Sequence, residues 1–142
     1  MSRIRIELPS SFHFTTRIPV RITDINYGGH MGNDSVLSLL HEARMQYLAQ
    51  WGYSEMNFGG VSMIIADAGI EFKHEAFYGE TIIASVTATN LSKVGFDLYY
   101  KLEKEVAGTL RLVVAAKTAM ICYDYDKKKI TPLPESVKEK LV

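Results

Sequence analysis

The amino-acid sequence predicts an α+β domain in which a curved antiparallel sheet of about five strands wraps round one long central helix. Three observations carry that expectation. The apolar period is two over residues 12–23, changes to three or four over residues 34–51, and returns to two over most of the remainder. The helical stretch of about seventeen residues would span ~25 Å, close to the width of five strands set ~4.8 Å apart. The last long apolar run is apolar on both parities, as a strand covered on both faces would be. A single helix buries its stripe against a single sheet most completely when the sheet curves round it.

Size and composition agree. A chain of 142 residues suits one domain with a real core, taken here as residues 1–142. With 47% hydrophobic and 23% charged residues it has the balance of a globular protein rather than a disordered one. Lys plus Arg equals Asp plus Glu at 16 each, so no net field favours nucleic acid or an acidic membrane surface as a partner. Cys122 has no second cysteine to pair with, which fits a reducing compartment. The opening "MSRIRIELPSSF" alternates charged and apolar residues, unlike a signal peptide, and the expected location is cytoplasmic.

The elements follow in order. Phe12, Phe14, Ile18, Val20 and Ile22 share one parity and His13, Thr15, Arg17 and Arg21 the other, which predicts a half-buried strand over Phe12 to Thr23. Pro19 has no ladder donor, which predicts an edge strand or at least a position where no ladder donor is missed. From Asp34 or Ser35 to Trp51 a mostly buried helix is expected: Val36, Leu40, Ala43, Tyr47 and Trp51 recur at helical spacing, and Leu37, Leu39 and Leu48 widen the stripe. Asn33, Asp34 and Ser35 offer caps at its start, and Gly52 a stop. After the turn-rich "GYSEMNFGG", "VSMIIADAGIEFKHEA" predicts a strand with a bulge at Gly69. "TIIASVTATN" and "GFDLYYKLEKE" each alternate cleanly and are expected to pair through "LSKV". "GTLRLVVAAKTAMICYDYD" is the two-sided strand, central in the sheet or facing a second subunit. "PESVKEKLV" predicts a short last helix begun by Pro134.

Between the first strand and the helix lies "TDINYGGHMGND", polar and rich in glycine. With "LLHEARMQYL", "IEFKHEAFYGE" and "ICYDYDKKKITPLPE" it makes a series of motifs spread over about residues 12–140. In these the chain resembles the hotdog-fold thioesterases, in particular the branch of 4-hydroxybenzoyl-CoA thioesterases and short bacterial acyl-CoA thioesterases. That family carries a pattern like S-D-x-D-x-x-G-H-V-N-N before a helix with E-A-R, then I-x-Y-x-x-P-x-x-Y-G-D and V-x-V-D-x-x-T-x-K-x-x-P-x-P-E. The resemblance implies the hotdog fold and hydrolysis of an acyl-CoA or related thioester, with no cofactor beyond the CoA of the substrate. It also implies a homodimer, often paired into a homotetramer, with active sites at the subunit interface.

The family's usual catalytic Asp falls at Asn26. An amide can neither attack a thioester nor take a proton from water, so Asn26 is expected to position one of them. Asp24 is a candidate base on the same side of an extended chain, with a local turn cap as the alternative. Glu42, at helical spacing from Ser35 and Ser38, is either a second candidate or part of a solvated face with Gln46. Asp67, in an apolar strand, faces water, pairs across an interface or lines the site. His30 stands where the family also has a His and is expected at the site. It shows no ligand spacing with His13, His41 or His74, so no metal is expected.

Thioester hydrolysis places negative charge on the carbonyl oxygen, and the unpaired N–H groups of a helix's first turn suit it. By resemblance, Gly32 and the backbone N–H near Asn33 are the expected oxyanion donors, and Ser92 with Lys93 the contact for CoA. Tyr47 and Met63 are either acyl-pocket walls or plain core. The amide at position 26 keeps a second function in view, a hotdog protein that binds an acyl-thioester with little or no turnover. A hotdog dehydratase or hydratase is a weaker third, since its motifs pairing a His with an acid are not found.

Overall fold

The computed structural model describes residues 1–141 and has the expected α+β architecture. Strand β1 (Phe14–Pro19) leads through a 3-10 turn to helix α1 (Asn33–Ala49). Strands β2 (Ser62–Phe72), β3 (Thr81–Thr89), β4 (Gly95–Val106) and β5 (Thr109–Asp124) follow. The short β6 (Lys129–Ile130) and helix α2 (Glu135–Leu141) close the described chain, and the expected extension of the last helix to Val142 lies outside the described residues. All pairings are antiparallel in the order β1-β3-β4-β5-β2, with β6 added to β5. β1 is an edge, as Pro19 required, and β5 is central, as its two apolar faces required. No helix of the described residues is long and apolar enough to cross a membrane.

Helix α1 lies in the curve of this sheet. Val36, Leu39, Leu40, Ala43, Tyr47 and Leu48 are buried against residues such as Ile82, Ala84, Val86, Leu98 and Leu102 of β3 and β4. Leu37, expected in the stripe, is instead 52% exposed, beside Ile65 of the β2 edge. At the C-terminal end of α1 an edge-to-face series runs from Phe14 through Tyr47 to Trp51. Tyr47 is buried, which pushes its phenol up to about 12, and Met63 is also buried; both belong to the core rather than to a cleft wall.

Local chemistry moved some boundaries. β1 stops at Pro19 because Asp24 folds Ile22–Asp24 into a 3-10 turn by accepting the Arg21 N–H. The bulge falls between Ile65 and Asp67, not at Gly69. The irregularity brings the Asp67 carboxylate to the Ala119 N–H and to Lys117, each 3.0 Å away. Gly69 stays in register opposite Lys117, and its missing side chain makes room instead. A Cβ there would meet the Ile6 side chain at 3.1 Å, where the N-terminal segment lies against β2.

Candidate active site

The polar stretch before α1 is a miniature hairpin. Ile25 pairs with Met31, the Asn26 N–H donates to the His30 carbonyl at 3.0 Å, and the Gly32 N–H donates to the Asp24 carbonyl at 2.9 Å. Gly29, at φ +84°, makes the reversal that an L side chain would resist. The Met31 N–H then donates to the Ala76 carbonyl at 2.7 Å and ties the hairpin to the β2–β3 connection. His30 and the start of α1 thus sit beside Glu75 in space.

Each candidate residue has a definite place. Asp24 is 3% exposed, and its carboxylate accepts the Arg21 N–H at 2.8 Å and faces the Arg21 guanidinium at 3.3 Å, an arrangement that holds the turn. Asn26 Oδ1 accepts the Gly28 N–H at 2.9 Å, leaving the Nδ2 donors for other work. His30 Nδ1 donates to the Met31 carbonyl at 3.2 Å, and Nε2 lies 4.0 Å from Glu75. Gly32 is the N-cap of α1 and has no side chain with which to cap it. The first N–H groups of the helix, beginning at Asn33, therefore carry the positive end of the dipole without a side-chain partner.

Of these groups, His30 and Asn33 open into a cleft of about 230 Å³ lined also by Val36, His74, Glu75 and Val113, among others; Asp24, Asn26 and Gly32 are not among its lining residues. A wider groove of about 420 Å³ holds Glu42, with Arg17, Arg21, Ser38 and Gln46. There the Glu42 carboxylate accepts the Gln46 amide at 2.8 Å, and the groove has no helix start to supply backbone donors. The smaller cleft is the better chemical site for that reason. Within one chain, Glu42 and Asn33 do not share a cavity.

Ser92 and Lys93 lie farther off still. The Ser92 hydroxyl closes its own turn on Gly95, and Gly95 stands opposite Ile121, at the sheet end where β2 begins. The helix start lies at the other end, beside Phe72 and Val113. Asp67 is exposed and paired with Lys117, so it both faces water and pairs within the chain. Glu75 was missed from the sequence, although a signal was present: it stands where the resembled pattern has proline. Among the described residues no group of His, Cys, Asp and Glu converges as a metal site would require.

Comparison with known proteins gives a consistent result. The family model of the thioesterase-like superfamily matches residues 20–141. A 1,4-dihydroxy-2-naphthoyl-CoA hydrolase of Microcystis aeruginosa is 32% identical over 122 residues, covering 84% of this chain and 86% of that protein. The enzyme of the same name from Rippkaea orientalis is 29% identical over 121 residues, covering 83% and 87%. Among solved structures, a 1,4-dihydroxy-2-naphthoyl-CoA thioesterase from Synechocystis superposes with a TM-score of 0.80 at 24% identity, over 90% of this chain and 94% of the other. A mutant 4-hydroxybenzoyl CoA thioesterase complexed with 4-hydroxybenzoyl CoA gives 0.83 at 15% identity, over 91% and 98%. The shared architecture is the hotdog fold.

Proposed function

The chain belongs to the thioesterase-like superfamily as a thioester hydrolase, and we propose that it cleaves an aromatic acyl-CoA at a site completed by a second copy of the chain. The carrying observation is the uncapped start of α1, which opens with His30 into a cleft whose other walls are largely apolar. Backbone N–H groups there stabilise charge as it develops on the thioester oxygen, and the missing side chain of Gly32 leaves room for the Asp34 carboxylate beside the helix start. Asn26 turns its free amide donors to the water or the substrate. The names of the relatives support an aroyl group, and Phe72, 44% exposed at the cleft, offers apolar surface for it.

Two features support a second copy. A cleft of about 230 Å³ is below the ~300–1,000 Å³ of sites that enclose a ligand of ordinary size. β2 is also a free sheet edge, with Ile65 and Phe72 each 44% exposed. Antiparallel pairing of β2 with β2 of a partner would set the partner's Ser62 end against this chain's Phe72 end. The partner's hairpin with Ser92 and Lys93 would then face this chain's helix start, where a lysine can meet a CoA phosphate. The two halves of the expected site, separated within one chain, would meet in that way. The same two-fold arrangement leaves each dimer free to pair again, as the expected homotetramer requires. The unpaired, buried Cys122 supports a cytoplasmic setting.

Thiol release from a panel of aroyl-CoA and acyl-CoA substrates tests the reading. Asn33→Pro is the informative variant. Asn33 is the first helical residue, where proline is tolerated, and Gly32 already has the extended conformation (φ −72°, ψ 150°) that a residue before proline adopts. It removes one N–H and leaves the helix in place. We expect kcat to fall by ~10²–10³ with aroyl-CoA. Binding of aroyl-CoA by an inert wild type would instead establish the thioester-binding alternative.

A further inference from the structure

The cleft at the helix start needs a base, and the expected carboxylates do not supply one there. Position 26 is an amide, Asp24 is buried in its turn, and Glu42 lies in another groove. One carboxylate does line the cleft. Glu75 has its backbone anchored on both sides, since the Lys104 ammonium donates to the Glu75 carbonyl at 2.8 Å and the Met31 N–H to the Ala76 carbonyl at 2.7 Å. Its side chain, 64% exposed, faces His30 Nε2 at 4.0 Å.

His30 is set up to use it. A backbone carbonyl only accepts, so the contact to Met31 puts the proton on Nδ1 and leaves the lone pair of the neutral ring on Nε2. The space beside that nitrogen is kept open by Gly28. A Cβ on Gly28 would stand 3.4 Å from His30 Nε2 and 3.2 Å from Asn26 Oδ1, in the gap where a water could reach both.

We propose that His30 is the general base of this site, held by its Nδ1 bond to the Met31 carbonyl, and that Glu75 balances the charge the ring gains, supplying the carboxylate that position 26 lacks. This rests on the reading that the cleft hydrolyses a thioester. Water attacks the carbonyl carbon as one of its O–H bonds breaks, and the proton passes to Nε2. The imidazolium then faces the Glu75 carboxylate. Collapse of the tetrahedral intermediate breaks the C–S bond, and the leaving thiolate takes the proton back from Nε2. Free acid and CoA thiol leave, and both side chains return to their starting states.

The test is kcat and KM against pH, by thiol release from an aroyl-CoA, for wild type, His30→Gln, Glu75→Gln, Gly28→Ala and the double variant Asn26→Asp/Glu75→Gln. The other titratable groups lining the cleft, Lys73 and His74, come from the same connection as Glu75, while α1 and β5 add Asn33 and apolar side chains. His30→Gln should lose ~10² or more in kcat. Glu75→Gln should lose about tenfold in kcat at unchanged KM. Gly28→Ala should lower kcat by filling the water's place, and the double variant should recover turnover through a carboxylate at position 26. An active wild type whose rate and pH profile survive Glu75→Gln would overturn the role of Glu75, and one unaffected by His30→Gln would overturn the base. A wild type inert on every substrate would sink the hydrolase reading itself.

Discussion

Arg44 shows how one side chain can brace the element that carries the site. It is 4% exposed, with Nε on Glu55 at 2.9 Å and a guanidinium nitrogen on the Tyr100 hydroxyl at 3.0 Å; that hydroxyl meets Thr118 at 2.7 Å. The chain of contacts ties α1 to β4 and β5. Arg44→Ala would remove one partner each from Tyr100 and Glu55 and open a gap beside α1, and a stability lower by about 3 kcal/mol is expected from urea unfolding. Arg44→Met, which keeps the packing, should cost less. Cys122 allows a second check. Burial pushes its thiol up to about 11, so at pH 8 it should resist a thiol reagent in the native protein and react on unfolding. That Cys122 is buried could be anticipated from its apolar neighbours, whereas the partners of Arg44 could not, since Tyr100 and Thr118 are far from it in sequence.

Helix α1 and the strands were legible because their periods are strong and their breakers well placed. The details that failed have two origins, a local turn cap at Asp24, which stood as the alternative to its role as a base, and a tertiary bond at Asp67. Side-chain bonds made by Asp24 and Asp67 set the end of β1 and the position of the bulge, and neither bond follows from propensity. The N-terminal segment is held in a similar way. The Ile6 N–H donates to the Glu71 carboxylate at 2.9 Å, and this bond, with Lys73 beside it, holds the acid below its ordinary range. A carboxyl group lowered in the folded state favours the docked segment above its unfolded pKa and loses that effect as pH falls through its folded one. Protease cleavage near residues 1–10 should therefore quicken as pH drops through and below the ordinary carboxylate range. Glu71→Gln should already be susceptible at neutral pH and show little further change.

At the scale of the assembled protein, the proposed second copy makes a prediction about mass and activity together. Ile65 lies on the exposed β2 edge, so Ile65→Lys should leave the fold intact while opposing the approach of a like-charged partner strand. Light scattering on an eluting column should then move from the mass of two or four chains to that of one, with thiol release falling in step. A wild type with the mass of one chain and full activity would overturn the shared site. The solvent-facing side of α1 has the same implication, since Leu37 and Ile65 line one groove at the edge of the sheet.

Architecture and outline chemistry were already present in the order of the residues: one helix in a curved antiparallel sheet, a polar hairpin before that helix, and an amide where a catalytic acid was expected. Those follow from periodicity, turn residues and motif order, which are local properties of the chain. Which polar groups meet was settled by folding alone. The Met31–Ala76 bond carries His30 to Glu75 across more than forty residues of sequence, while the turn around Asp24 withdraws that acid from the cleft. A hydrogen bond between distant segments leaves no period in the sequence. Its donor and acceptor here are backbone atoms, which every residue but proline supplies alike.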